Sequence, residues 1–196
     1  MKVIGFNGSP RRKANTATLV AAVLKGAAAR GVETRMVNLN ELNMKGCQGC
    51  GACKKHPGKC FQKDDLSPLL EELKEVDAIV LGSPIYWFRV SAQLKMLIDR
   101  FYCYMGEEVD EKTGEMSSFF TFPGGKKFAI ITSQGDENPE LYQQTLDWLN
   151  IVVTIMGSAS TEFITHVGSE NAVDSALKNA ELIARAEAAG AALVST

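Results

Sequence analysis

Short apolar runs alternate with helical periodicities along the chain. Val3 to Phe6 is an unbroken apolar stretch (glycine aside) that ends in Asn-Gly-Ser-Pro, which predicts a buried parallel strand followed by a loop. Val20, Val23, Leu24, Ala27 and Ala28 recur at helical spacing, predicting a helix from about Asn15 to a C-terminal stop at Gly31. Glu33 to Asn38 reads as a second strand, and Asp64-Asp65 place acidic side chains at the start of a helix. Asp77 to Ser83 carries a third, doubly buried strand. Val90, Leu94, Leu97, Ile98 and Phe101 then line one side of a helix over about Ser91 to Phe101. Phe128 to Thr132 and Ser160 to Thr165 supply two more strands. Helices are expected from Glu140 to about Met156 and from about Asn171 onward.

Five strands alternating with helices predict an α/β fold, a doubly wound five-stranded parallel sheet with helices on both faces. The expected organisation is one domain over residues 1–196, with a cysteine-rich insert at about 44–63 and a long aperiodic loop at about 102–126. A loop of that length in a compact domain suggests a lid or an interaction arm. Sheets of this kind bind ligands beyond the C-terminal ends of their strands, where strand order reverses. The loops after strands one, three and four are therefore the places to look.

The first of these loops runs Gly8-Ser9-Pro10-Arg11-Arg12-Lys13-Ala14-Asn15-Thr16 into a helix N-terminus. It offers backbone N–H groups, the Ser9 and Thr16 hydroxyls, a helix dipole and the Arg11 guanidinium, which suits a single phosphate. Neither G-x4-G-K-[ST] nor G-x-G-x-x-G is present. The second loop, Gly82 to Phe88, holds Tyr86 and Trp87, which could stack on a flat ring system or cap the core or a subunit contact. The third is Thr132-Ser133-Gln134-Gly135-Asp136, small and polar, with Gly135 allowing a ligand close to the backbone.

Cys47, Cys50, Cys53 and Cys60 follow the pattern C-x2-C-x2-C-x6-C, and Cys103 lies outside it. Three thiols on a tight rhythm closed by a fourth can wrap an iron–sulfur cluster, with Gly46, Gly49, Gly51 and Gly58 relieving the crowded backbone. A zinc site, a labile disulfide or plain free thiols remain open on spacing alone. Lys54, Lys55, Lys59 and Lys63 surround the run, either offsetting thiolate charge or simply facing solvent. His56 and His166 read as surface residues, and Asp99-Arg100 as a structural ion pair at a helix end. No catalytic triad, carboxylate pair or H-E-x-x-H motif is present, so no side chain is assigned as catalytic.

The segments Gly8-Ser-Pro-Arg with Asn15-Thr16, Gly82-Ser-Pro-Ile-Tyr-Trp and Leu94-Lys-Met-Leu-Ile-Asp-Arg100 resemble the NADPH-dependent FMN reductases of flavodoxin-like fold. With the cysteine run, the chain resembles the iron–sulfur flavoprotein branch of that family. The resemblance implies that Ser9, Arg11, Asn15 and Thr16 hold the FMN phosphate. It implies that Pro84, Ile85, Tyr86 and Trp87, with Ser133, Gln134 and Gly135, hold the isoalloxazine ring. It implies a [4Fe–4S] cluster on Cys47, Cys50, Cys53 and Cys60, and NAD(P)H or a ferredoxin as electron donor. The resulting expectation is an FMN-dependent oxidoreductase coupling flavin to one-electron transfer. The alternatives are a cluster-free NAD(P)H-dependent reductase of flavin, quinone or nitro compounds, and an electron carrier without its own small-molecule substrate.

Composition narrows the partners. The 196 residues are 45% hydrophobic and 22% charged, with a net charge of −2. No basic stripe argues for nucleic acid and no long apolar run for a membrane. The start, Met-Lys-Val-Ile-Gly-Phe-Asn-Gly, breaks too early for a signal peptide, so the expected location is the cytoplasm, where clusters and free thiols outnumber disulfides. An exposed aromatic loop and a long arm suggest a homodimer or homotetramer.

Overall fold

A computed structural model describes residues 1–169 and 172–195. The central sheet contains β1 (Lys2–Asn7), β2 (Glu33–Asn38), β3 (Ala78–Tyr86), β7 (Lys127–Ser133) and β8 (Ser160–His166), in the order β2-β1-β3-β7-β8. All four pairings along this path are parallel. This is the flavodoxin-like order, with the reversal of direction between β1 and β3. The expected five parallel strands are therefore all present.

The helices pack on both faces because the strand residues alternate. Ile4, Phe6, Ile79, Leu81, Phe128 and Ile130 join one core with α2 (Leu66–Glu75), α3 (Ala92–Arg100) and α4 (Gln143–Ile155). Val3, Val80, Ala129 and Ile131 point the other way, against α1 (Asn15–Ala28) and α6 (Ala180–Leu193). In α1 the predicted face is buried except for Ala28, which the helix turns outward. The last helix was expected from Asn171, which with Glu170 lies outside the described residues. The described helices there are the short α5 (Ser175–Lys178) and then α6.

Two segments differ from expectation. First, β3 runs past Ser83 because β4 (Arg89–Val90) folds back antiparallel on Ile85 and Tyr86. Second, residues 102–126 are not an aperiodic loop. They contain the antiparallel hairpin β5 (Met105–Val109) and β6 (Met116–Phe120), paired from Met105↔Phe120 to Val109↔Met116. Its turn is organised by Asp110, whose carboxylate accepts from Lys112 N and Thr113 N at 2.8 Å each. Those two backbone bonds hold the Asp110 carboxyl below its usual pKa. The paired strands lack clean apolar alternation, which is why periodicity missed them. Asp110 and Gly114, the latter at φ 73°, were the available turn signals.

Candidate functional site

The loop after β1 is fixed before any ligand arrives. Gly8 N donates to Gly82 O at 2.8 Å, and Ser91 Oγ donates to Gly8 O at 2.7 Å. Ser83 Oγ accepts from Ser91 N at 2.9 Å, tying β3 to the start of α3. A Cβ on Gly8 would stand 2.8 Å from Gly82 O and 2.9 Å from Leu94 Cβ, so only glycine fits this three-way contact. Ser9 Oγ accepts from Arg11 N at 3.1 Å, which leaves its hydroxyl proton free to donate.

The N-terminus of α1 opens beside this loop. It has no side-chain cap and no acidic residue in its first turn. Its orphan N–H groups therefore present uncancelled positive charge to the cleft. The cleft is lined by Ser9, Arg11, Asn15 and Thr16, by Pro84, Ile85 and Tyr86, and by Ser133 and Gly135. All three predicted loops thus meet in one place. Arg11 is exposed and makes no ion pair among the described residues, whereas Arg12 is held by Glu41 at 2.6 Å. A free cation lining the cleft beside uncapped amides is the electrostatic arrangement a phosphate needs.

Three predicted residues play other parts. Asn15 lines the cleft, but its amide is engaged: Nδ2 donates to Ala172 O at 2.7 Å and Oδ1 accepts from Ala176 N at 2.9 Å. It holds the C-terminal segment against α1. Gln134 is not in the lining. Its side chain turns inward and donates to Asp136 O at 3.2 Å and Asn138 O at 2.7 Å, stiffening its own loop. Trp87 also stands outside the cleft. Trp87 and Phe88 form the two-residue turn between β3 and β4 with φ 47° and 67°. A turn left-handed at both central positions normally carries Asn or Gly. Here it drives Trp87 into solvent, 93% exposed, while the Phe88 ring packs on Tyr142 at 5.5 Å. Phe88 O accepts from Thr145 Oγ1 at 2.7 Å, which helps hold the strained turn.

Sequence reasoning missed Ala14, Ser169 and Val173, which complete the lining. It also placed His166 at the surface. The side chain is instead buried behind Ser133, with Nδ1 3.2 Å from Ser133 Oγ and Nε2 3.3 Å from Ser175 Oγ. Burial holds its pKa below the ordinary value of 6.5, so the ring is neutral near pH 7. The strand is one residue longer than expected, which carries His166 under the loop instead of past it.

The cysteine segment forms a second, separate assembly between β2 and α2. All five cysteines are free thiols. Cys47, Cys50, Cys53 and Cys60 line one small cavity together with Arg100, Tyr102 and Cys103. Among the described residues, no three His, Cys, Asp or Glu side chains are grouped closely enough for a single metal ion. Gly49, Gly51 and Gly58 have φ of 62°, 68° and 97°, so the expected backbone relief is real at three of the four glycines. Burial raises the pKa of Cys53, and pushes Cys103 up to about 12. The segment is anchored to the root of the β5–β6 hairpin. Lys54 donates to Met105 O at 3.1 Å, pairs with Glu107 at 3.1 Å and lies 3.8 Å over the Tyr102 ring. Gly58 N donates to Cys103 O at 2.7 Å. No hairpin residue lines the cleft at the strand ends. The arm's root braces the cysteines.

Arg100 corrects a further expectation. It does not pair with Asp99, which is held by Lys95 at 2.5 Å. Adjacent helical residues point to different faces. Arg100 turns inward and pairs with Asp64, 2.7 Å away, at the foot of the cysteine loop. Burial opposes both charges. Hydrogen bonds from Arg100, Lys45 N and Ser67 together outweigh it at Asp64, whose pKa falls to about 2, and those to Asp64 and Cys60 raise that of Arg100.

Comparison with known proteins agrees with this architecture. The family model for NADPH-dependent FMN reductases matches residues 1–159. An iron-sulfur flavoprotein of Methanocaldococcus jannaschii is 49% identical over 100 residues, covering 51% of this chain and 51% of that protein. One from Archaeoglobus fulgidus is 35% identical over 132 residues, 65% of this chain and 67% of the relative. The chain spans about half the length of several of the curated relatives it matches. Among solved structures, an NAD(P)H:quinone oxidoreductase from Methanothermobacter marburgensis superposes with a TM-score of 0.74 over 98% of both chains at 19% identity. An FMN-dependent NADH-azoreductase from Bacillus anthracis, in complex with FMN, superposes with a TM-score of 0.72 over 99% of both chains at 15% identity. At these identities the structures speak for the fold. No helix among the described residues is long and apolar enough to cross a membrane.

Proposed function

Because the chain belongs to the NADPH-dependent FMN reductase family, we propose that it is an FMN-dependent oxidoreductase of the iron–sulfur flavoprotein type. The observation that carries this reading is the uncapped N-terminus of α1 beside Ser9, Arg11 and Thr16, at the strand-order reversal of the sheet. The amides and Arg11 would hold the FMN phosphate, with the Ser9 and Thr16 hydroxyls as further donors. The cleft holds only about 170 Å³. Pockets that bury a whole drug-sized ligand run to roughly 300–1,000 Å³. The cleft would therefore take only part of the FMN, its phosphate on the α1 side and its ring reaching out past Pro84, Ile85, Tyr86 and the loop from Ser133 to Gly135 on the other.

FMN supplies hydride acceptance and stepwise electron release; the residues of this chain bind it, orient it and bias its charge. Four free thiols around one cavity, on a backbone bent at Gly49 and Gly51, fit a thiolate-ligated iron–sulfur centre. Cys47, Cys50, Cys53 and Cys60 would hold a [4Fe–4S] cluster, which supplies one-electron transfer. NAD(P)H or a reduced ferredoxin would be the donor. The exposed Trp87, Phe88 and Leu141 support a homodimer or homotetramer.

The test is an absorption spectrum and elemental analysis of protein purified without oxygen. Flavin at one per chain with iron and sulfide near four each is the expected result. Flavin without iron leaves the cluster-free reductase. Protein that binds no flavin under any condition overturns the function. Turnover of NAD(P)H then separates an enzyme from a carrier that exchanges electrons only with ferredoxin.

A further inference from the structure

Arg100, the last residue of α3, is the largest fully buried side chain among the described residues. A buried guanidinium is costly unless every N–H finds a partner. All five do. Nη1 donates to Lys45 O at 2.9 Å and to Asp64 Oδ2 at 2.7 Å. Nη2 donates to Asp64 Oδ1 at 3.2 Å and to Ser67 Oγ at 3.1 Å. The fifth, Nε–H, points to Cys60 Sγ at 3.2 Å.

These bonds divide into two jobs. Four of them fasten the stem of the cysteine loop, since Lys45 precedes Cys47 and Asp64 follows Cys60. Lys45 N also donates to Asp64 Oδ2 at 3.2 Å, and Gln62 Nε2 to Gly46 O at 3.2 Å, so the stem is closed without the fifth bond. The bond to sulfur adds nothing to that closure. It is the one hydrogen bond from a cation to a cysteine sulfur among the described residues. Asp64 neutralises the guanidinium from the Nη side, leaving the positive edge of the pair directed at Cys60. Lys54 is not so placed, being held by Glu107 and the Tyr102 ring.

Hydrogen bonds and positive charge at a ligating sulfur favour the reduced, more negative state of a cluster. We propose that Arg100 is a positioning residue that fixes Cys60 as a cluster ligand and raises the cluster's reduction potential through its Nε–H···Sγ bond. This assignment rests on the cluster proposed above.

The experiment is a potentiometric titration of oxygen-free, cluster-loaded protein and of its Arg100→Lys and Ser67→Ala variants, followed by the electron-spin signal of the reduced cluster. Arg100→Lys keeps the charge but removes the fork and its Nε donor. Its reduced-to-oxidised ratio at a given poise should fall about tenfold, which is ~59 mV for a one-electron couple. Ser67→Ala loosens the stem without touching the sulfur bond and should leave the potential in place. A loaded Arg100→Lys protein with unchanged potential overturns the assignment. Where Arg100→Lys fails to hold iron, the wild-type protein decides. Protein grown with 15N-arginine should show a 15N coupling to the reduced cluster in electron–nuclear double resonance, and its absence overturns the assignment alone. Protein with full flavin but no iron or sulfide after reconstitution overturns the cluster, and this assignment with it.

Discussion

The cleft at the strand ends and the cysteine loop are built on opposite principles. The cleft stands on the ends of strands buried on both faces, and its loops are cross-tied by Gly8, Ser83 and Ser91. The uncapped amides of α1 that open onto it are placed by the fold itself. The cysteine loop has no regular element beneath it beyond one short 3-10 turn at Ala52–Lys55. It is held by its stem at Arg100 and by its flank at Lys54. The first site is a property of the sheet; the second is a property of a few side chains. Damage to one should therefore leave the other standing, and each prediction below tests that independence.

The largest expected effect is at the thiols. Changing any one of Cys47, Cys50, Cys53 or Cys60 to Ala should abolish stoichiometric iron while flavin stays at one per chain, because no cysteine lines the cleft. Iron and flavin analysis on the same sample measures both. Joint loss of flavin would mean that the two sites share structure.

Next comes the phosphate. Arg11→Ala removes a charge-assisted bond worth roughly 1.5–3 kcal/mol, so FMN affinity should fall about 10- to 100-fold. Riboflavin, which lacks the phosphate, should bind the variant and the wild type alike, and iron content should not change. Titration of the apoprotein by flavin fluorescence reads the difference. Equal losses for both flavins would remove the phosphate from this cleft.

The same contrast explains what could be read before the structure. Doubly buried strands leave unmistakable apolar runs, so β1, β3 and β7 and the loops behind them were legible. Ser9, Arg11, Thr16, Tyr86 and Ser133 accordingly meet where expected. The cysteine spacing announced a cavity but not its support. Arg100 reaches across 36 residues to Asp64, and no local pattern encodes that. Trp87 was misdirected because two consecutive left-handed residues reverse a side chain's heading. His166 was misjudged because its strand runs one residue further than expected and the side chain that covers its ring, Ser133, lies 33 residues away.

A third prediction concerns the strained turn. Replacing Trp87-Phe88 by Asn-Gly suits the left-handed geometry. Relief of about 1–2 kcal/mol per residue is offset by the lost Phe88–Tyr142 packing, so a net gain on the order of 1 kcal/mol is expected. Urea unfolding of the flavin-free protein measures it. A loss of stability would mean that the aromatic contacts outweigh the strain. Iron content should be indifferent, since the turn does not touch the cysteine loop.

The smallest effect, and the one confined most tightly to the cleft, is the pH response of His166. Its folded pKa lies below the ordinary 6.5 because the ring is buried behind Ser133. Between the folded and unfolded values the unfolded chain binds more protons, so stability rises with pH. The contribution is fully present above pH 6.5 and is lost as the pH falls from there through the lowered folded value. Protonation would also make both ring nitrogens donors, so the serine hydroxyl that donates to the neutral ring would have to turn and accept instead. Ser133 lines the cleft, so flavin affinity should weaken over the same interval. In His166→Gln the slope of unfolding free energy against pH between 8 and 5.5 should be shallower than in wild type, and the acid loss of FMN should shrink with it. Identical slopes in the two proteins would assign the acid sensitivity to other groups and leave His166 a neutral spacer.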